Sequence, residues 1–295
     1  MRNILSGDVD FIKRLNGSNF SGFVHSAFKR TFNIQCFDSG EVYTIACRYI
    51  DNAPNTLIVD TENTSQWNIE VNDRVFVEDR ILYISNKLAL NISRVNIWES
   101  ILPPYPNNEE ILLHNVRRAR EYIDCRGKGG GIKKHLIPLN PFEAETCNML
   151  EQRTKSLLYD LAMNRMDHAI KHAVSLIGLG PGLTPSGDDF LTGLFTTLQM
   201  EHSPLYEHRS FCEKVTMKAK PLTNDISYSA LKQASIGKVR ESIISLVNSL
   251  LIENEDDLIL SLNKVLDIGS SSGTDIALGL VCGLEANIKA GGKLC

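Results

Sequence analysis

The residues best suited to chemistry lie in one stretch, Gly178-Leu179-Gly180-Pro181-Gly182-Leu183-Thr184-Pro185-Ser186-Gly187-Asp188-Asp189. Glycines at 178, 180 and 182 let a ligand approach the backbone closely. Pro181 and Pro185 stiffen the turn, because proline fixes φ. The turn runs into an apolar-periodic segment, so a helix is expected to start here. A helix start presents N–H groups and the positive end of a dipole, which suits an anion. Thr184 or Ser186 is expected to cap it. Gly180, Gly182, Thr184, Ser186 and Gly187 are therefore candidate binding residues. Asp188 and Asp189 fall in the first turn. Two adjacent acids there either complement the dipole, act on a proton, or hold a cation.

A second stretch repeats the register. Ser272-Gly273-Thr274-Asp275, three residues, then Gly279-Leu280 matches Ser186-Gly187-Asp188-Asp189, three residues, then Gly193-Leu194. Each copy is expected to open a helix with a glycine inside it. An interior glycine costs about 1 kcal/mol against alanine, so it needs a packing reason. A close crossing at Gly193 and Gly279 supplies one. It also brings Asp189 and Asp275 to one site, with Ser272, Gly273 and Thr274 beside them.

Elements must position these corners, and the rest of the chain says which. From Phe20 to about Ile97 the text is strand-like, with β-rich runs at 43–46, 56–59, 74–77 and 81–84 between turn residues. Residues 1–105 are expected to form a small antiparallel β-barrel or sandwich. His25 has no catalytic company there. Leu102-Pro103-Pro104-Tyr105-Pro106-Asn107-Asn108 reads as a linker. Residues 106–295 are expected to be almost wholly helical, giving an α+β protein of two domains. Helices are expected at about 108–124, 141–159, 161–176, from 186, from 223, at 239–251, from 254 and from 272. Thr223 or Asn224 caps the fifth of these, placing Ser227 one turn in as a further binding candidate. His168 and His172 stand four apart but lack the Glu of a His-Glu-x-x-His zinc motif, so they read as helix surface. The loop Arg126-Gly127-Lys128-Gly129-Gly130-Gly131-Ile132-Lys133-Lys134-His135 combines charge with glycine. It either closes over an anion, with Arg126, Lys133 or Lys134 covering it, or is a solvated connection.

Composition narrows the function classes. The formal net charge of −4 comes without a basic block, which argues against nucleic acid. No apolar run approaches a membrane span, and residues 1–16 lack the apolar core of a signal peptide. A cytoplasmic protein is expected. Seven cysteines, an odd number with no Cys-x-x-Cys pair, argue against a disulfide framework. The main motif lacks the Gly-Lys-[Ser/Thr] of a P-loop, the third glycine of a dinucleotide fingerprint and a Gly-x-Ser-x-Gly elbow.

At Gly178–Asp189, joined to Gly269–Asp275, the sequence resembles the AllH-like family, which includes a subunit of oxamate carbamoyltransferase from anaerobic allantoin degradation. Thr223–Ser227 is similar to that family's polar helix start. The resemblance implies carbamoyl transfer between carbamoyl phosphate and oxamate, within a complex of several different subunits. The chain lacks the Ser-Thr-Arg-Thr loop by which aspartate- and ornithine-type carbamoyltransferases hold phosphate. On this reading the backbone of 178–186 and Ser272-Gly273 binds a small anionic metabolite through its phosphate or carboxylate. Asp188, Asp189 and Asp275 orient an NH2 group or hold Mg2+, and no other cofactor is implied. Two alternatives stand beside it: a non-catalytic assembly subunit, and a stand-alone Mg2+-dependent hydrolase of a small phosphorylated or carboxylated metabolite.

Overall fold

The computed structural model describes residues 2–17 and 19–292. The chain divides into two compact units, Met1–Ser100 and Ile101–Cys295, and the expected α+β class holds.

Among the described residues the first unit is a β-barrel with one α-helix and a short 3-10 turn at Ser65–Trp67. Its strands are β1 (Arg2–Asp8), β2 (Ser21–Ala27), β3 (Thr31–Cys36), β4 (Val42–Cys47), β5 (Thr56–Val59), β6 (Arg74–Glu78), β7 (Ile81–Ile84), β8 (Leu88–Asn91) and β9 (Asn96–Trp98). Eight of them close in the order β1-β5-β4-β3-β2-β6-β7-β8, and the ring returns to β1. Of the two architectures expected from the sequence, it is the barrel that forms. Most neighbours are antiparallel, but β4 with β5, and β1 with both β8 and β9, run parallel. Strand alternation explains the interior: Val24, Ile34, Ile45, Val75, Leu82 and Leu90 point inward and are fully buried. Helix α1 (Val9–Asn16) adds Phe11, which stacks on Tyr43 with ring centroids 4.4 Å apart. Asp8 caps α1 at Phe11 N and also accepts from Asn55 N, each at 3.1 Å. One carboxylate thus ties the helix start to the approach of β5.

The second unit holds α2 (Glu110–Arg126), α3 (Pro141–Ala162), α4 (Met166–Leu176), α5 (Ser186–Leu198), α6 (Ser210–Ala219), α7 (Asp225–Ala234), α8 (Glu241–Leu250), α9 (Glu255–Leu266) and α10 (Ser272–Ala290). Helix α3 runs on past its expected end at about 159. The break falls at Met163-Asn164, where Asn164 takes a left-handed φ of 54°. Helix α6 has no counterpart among the helices expected from the sequence. The proline segment is less a tether than expected: Tyr105 is buried, its N–H donates to the Glu201 carbonyl at 2.8 Å, and its hydroxyl donates to Glu109 at 2.9 Å.

Helix α5 is the centre of this unit, since all its residues are buried. It is buried on every side although not apolar throughout, and its Thr192, Thr196 and Thr197 hydroxyls donate to carbonyls of the helix itself. Phe190, Leu191, Leu194, Phe195 and Leu198 supply its packing, and α10 lies against it through Ile276, Leu280 and Leu284. The contact is as close as the interior glycines suggested. A Cβ on Gly193 would fall on the Ile276 carbonyl oxygen, and one on Gly279 on that of Phe190.

Candidate active site

The loop before α5 is held by backbone geometry and by its own helix. Gly178, Gly180 and Gly182 take φ of 74°, 115° and 98°, where only glycine is at ease. The Leu183 carbonyl accepts from Asn224 Nδ2 at 2.6 Å. Neither Thr184 nor Ser186 caps α5, against expectation. The N-cap position is Pro185 with no side-chain hydrogen bond, and its carbonyl takes the N–H groups of Asp188 and Asp189. Gly187 N donates to Leu179 O at 2.9 Å. Among the described residues, the N–H groups of Gly180, Gly182 and Thr184 donate to no protein atom.

Asp188 is engaged inside the protein. Its Oδ1 accepts from Gly178 N at 2.8 Å, and its Oδ2 accepts from the hydroxyls of Ser227, at 2.6 Å, and Thr223. Burial pushes its carboxyl up, opposed by these three donors. Asp188 therefore clamps the glycine loop and the start of α7 to α5. The α7 cap is Asn224, which accepts from Ile226 N and Ser227 N. That leaves Thr223 free to serve Asp188.

Asp189 and Asp275 do meet. Thr184 Oγ1 and Ser272 Oγ join the two corners at 2.9 Å. Burial pushes Asp189 up to about 8. The nearby Ser272 and Thr184 hydroxyls oppose this, and the charge of Asp275 adds to it. Burial pushes Asp275 up to about 7, opposed first by the Ile132 N–H, which donates to its Oδ1 at 2.8 Å. Ser186 and Asp275 have no exposed surface and Asp189 only 7%. Yet Ser186 Oγ, Asp189 Oδ2 and Asp275 Oδ2 make no hydrogen bond. The neighbouring hydroxyls are near enough to favour ionisation without aligned bonds to these oxygens. Buried polar atoms are rarely left unpaired, and two of these three, Ser186 Oγ and Asp275 Oδ2, lie together against Gly131. The rest of the second corner is packing. Gly273 N donates to Ile268 O at 2.9 Å, and Thr274 Oγ1 accepts from Lys128 N at 2.8 Å.

The loop 126–135 reaches this site by its backbone rather than by charge. Ile132 supplies the N–H on Asp275, and Gly131 lies so close that a Cβ there would strike the Asp275 carboxyl and Ser186 Oγ. Both residues escaped the sequence reading, and the run Gly129-Gly130-Gly131 was their only signal. The lysines expected to cover an anion are engaged elsewhere. Lys133 Nζ donates to the carbonyls of Ile123, Asp124 and Gly127, closing the C-terminus of α2. Lys134 Nζ pairs with Glu151 at 2.5 Å and donates to Asn148. Arg126 is exposed. No group of three His, Cys, Asp or Glu side chains stands where it could hold a metal, among the described residues. The expected three-carboxylate Mg2+ site is thus not assembled, because Asp188 faces its own donors. His172 Nε2 lies 3.4 Å from Asp160 Oδ2.

The chain is thus a barrel unit followed by a helical unit in which two glycine-cornered helix starts carry a buried carboxyl pair. The chain belongs to the AllH family. A family model described as oxamate carbamoyltransferase subunit AllH matches residues 176–284, and one described as the AllH family N-terminal domain matches residues 3–97. The first match spans both corners, with Asp188, Asp189 and Asp275. No solved structure matches the chain. Among the described residues no helix is long and apolar enough to cross a membrane.

Proposed function

We propose that this chain is a subunit of an oxamate carbamoyltransferase and that the Asp189–Asp275 corner site handles the small substrate. The observation that carries the reading is the set of three unpaired, buried polar atoms, Ser186 Oγ, Asp189 Oδ2 and Asp275 Oδ2, where the two helix starts converge. The family model that spans these residues bears the name of that enzyme's subunit.

In the transfer, the amide nitrogen of oxamate attacks the carbamoyl carbon of carbamoyl phosphate. The bond between the carbamoyl carbon and the bridging oxygen breaks, phosphate leaves with that oxygen and the bonding pair, and the nitrogen gives up a proton to yield N-carbamoyl-oxamate. With carboxyls near 7 and 8, the pair holds about one proton between pH 7 and 8. One carboxylate is then ready to accept the nitrogen's proton near neutral pH, where general-base catalysis works best. The unused N–H groups of Gly180, Gly182 and Thr184 are the place on this chain for the carboxylate of oxamate or for a phosphate oxygen. Asp188 acts as a positioning residue through Gly178.

The test is calorimetric titration of the chain, alone and in its complex, with oxamate and with carbamoyl phosphate. Wild type binds oxamate, and Asp189→Ala weakens that binding at least tenfold. Equal binding by the variant removes the site assignment.

A second reading, a non-catalytic assembly subunit, is favoured by the complete burial of Ser186 and Asp275. It expects Gly279→Ala to disrupt the complex and Asp189→Asn to leave turnover intact, whereas the first reading expects Asp189→Asn to abolish turnover.

A further inference from the structure

The corner site has a cover. Ser186 and Asp275 expose no surface, and Gly131 lies on both, so that a Cβ there would strike the Asp275 carboxyl and Ser186 Oγ. A ligand reaches these oxygens only if Gly131 moves. The closed cover also has a cost. Beneath it Ser186 Oγ and Asp275 Oδ2 have no hydrogen-bond partner, and a buried acceptor left unpaired forfeits its hydration without compensation. Opening lets water in and relieves that loss.

The cover is a short piece held between two fixed posts. On one side Lys128 N donates to Thr274 Oγ1 at 2.8 Å. On the other, Lys133 Nζ binds three carbonyls at the end of α2, and His135 pairs with Glu143 of α3. Between the posts, residues 129–132 form neither helix nor strand. One hydrogen bond ties them to the carboxyl pair, from Ile132 N to Asp275 Oδ1 at 2.8 Å. The Ile132 side chain is only partly buried against the helical core. Gly129 and Gly130 lie against the His135 ring, since a Cβ on the first would meet its Cδ2 and one on the second its Cε1. The imidazole thus backs the glycine run whose next residue sits on Asp275. A segment with few anchors over an unpaired polar spot belongs to the low-stability end of a structure, from which lids are drawn.

We infer that residues 129–132 are a flap that rises to admit the small substrate to Asp189 and Asp275, and that His135, fixed by Glu143, is the positioning residue that sets the flap back down. The identity of that substrate rests on the proposed function; the motion does not. Closure returns the Ile132 N–H to Asp275 and shuts water out of the site, where the charges of a transfer reaction are then met by fixed dipoles.

The experiment reads opening directly, on the full chain without ligand. In amide hydrogen exchange, Ile132 should exchange roughly a hundredfold or more faster than Leu194 and Leu280 in the α5–α10 core. His135→Ala should speed exchange at Ile132 roughly a further tenfold while the α5 and α10 amides keep their wild-type rates, a pattern that a general loss of stability would not give. Access is read separately with a water-soluble carbodiimide and glycine ethyl ester, which couple to carboxyls they can reach. Asp275 should be labelled at least tenfold faster in Gly131→Ala, whose methyl holds the flap off the carboxyl, than in wild type, with circular dichroism confirming that the variant is folded. Exchange at Ile132 as slow as in the core overturns the inference, because the site then opens only by global unfolding. Unchanged exchange in His135→Ala overturns the role of His135, and equal labelling of Asp275 in Gly131→Ala and wild type overturns the flap. A flap that opens by both measures in a chain that binds no oxamate, alone or in its complex, stands while the proposed function falls.

Discussion

The hydroxyls of Thr184 and Ser272 lie 2.9 Å apart although 88 residues separate them in the chain. The bond ties the loop before α5 to the start of α10, directly beside Asp189. A pair of this kind contributes about 0.5–1.5 kcal/mol. A double-mutant cycle with Thr184→Val and Ser272→Ala, read by chemical denaturation, should return a coupling energy in that range. A coupling near zero would mean that the two corners are held together only by the helix crossing.

That crossing is the stronger constraint. Gly193→Ala and Gly279→Ala each drive a methyl onto a helix carbonyl of the partner. Overpacking of this sort costs about 1–3 kcal/mol, so either variant should melt several degrees below wild type. Both should also lose oxamate binding, because the corners separate. A variant with wild-type melting temperature and binding would show that the helices can part without consequence.

Protonation of the carboxyl pair links stability to pH. Asp189 and Asp275 are raised in the folded protein from an ordinary value of 3.8 to about 8 and about 7. The folded state therefore holds protons that the unfolded chain has released. Their contribution is fully present below about pH 4 and is lost as pH rises through 7 to 8. The melting temperature of wild type should fall between pH 5 and pH 9, and Asp189→Asn should fall less steeply over that interval. Parallel curves would argue that the pair is ionised throughout.

Asp188 offers a contrast to its neighbour. Its two oxygens receive three donors, and Asp188→Asn turns an NH2 group toward one of them. The loss should be about 1–3 kcal/mol, with oxamate binding weakened through movement of the Gly178 loop. The pH slope of stability should become shallower, because the carboxyl that burial raises at Asp188 no longer titrates, while Asp189 and Asp275 still do. If oxamate binding and stability both survive, Asp188 neither clamps the loop nor serves the ligand.

The corners were legible because glycine, proline and acid at fixed spacing admit few structures, and the repeated Ser-Gly-x-Asp register predicted the meeting of α5 and α10. What escaped was chemistry carried by backbone. The Ile132 N–H on Asp275 has no residue type to announce it, and Lys133 looked like an anion ligand because its carbonyl partners on α2 are invisible in sequence. The caps at Thr184 and Ser186 failed because Pro185 preceded the helix and the N–H groups of Gly187, Asp188 and Asp189 found backbone acceptors. In the barrel, β4 through β7 were readable from their β-branched runs. Strand β1 was not, since Leu5 and Gly7 break the alternation of its inward residues, and pairing in parallel with β8 and β9 leaves no turn signal.

Strand β1 has a further consequence for how the barrel is made. It pairs with β5 on one side and with β8 and β9 on the other, so the first strand of the unit waits for nearly the last. Contacts of such long sequence separation slow folding, because loop-closure entropy is lost before they form. A ribosome-bound chain cannot close the cylinder until about ninety residues have emerged, and until then β1 and β7 present open rims to any chaperone nearby.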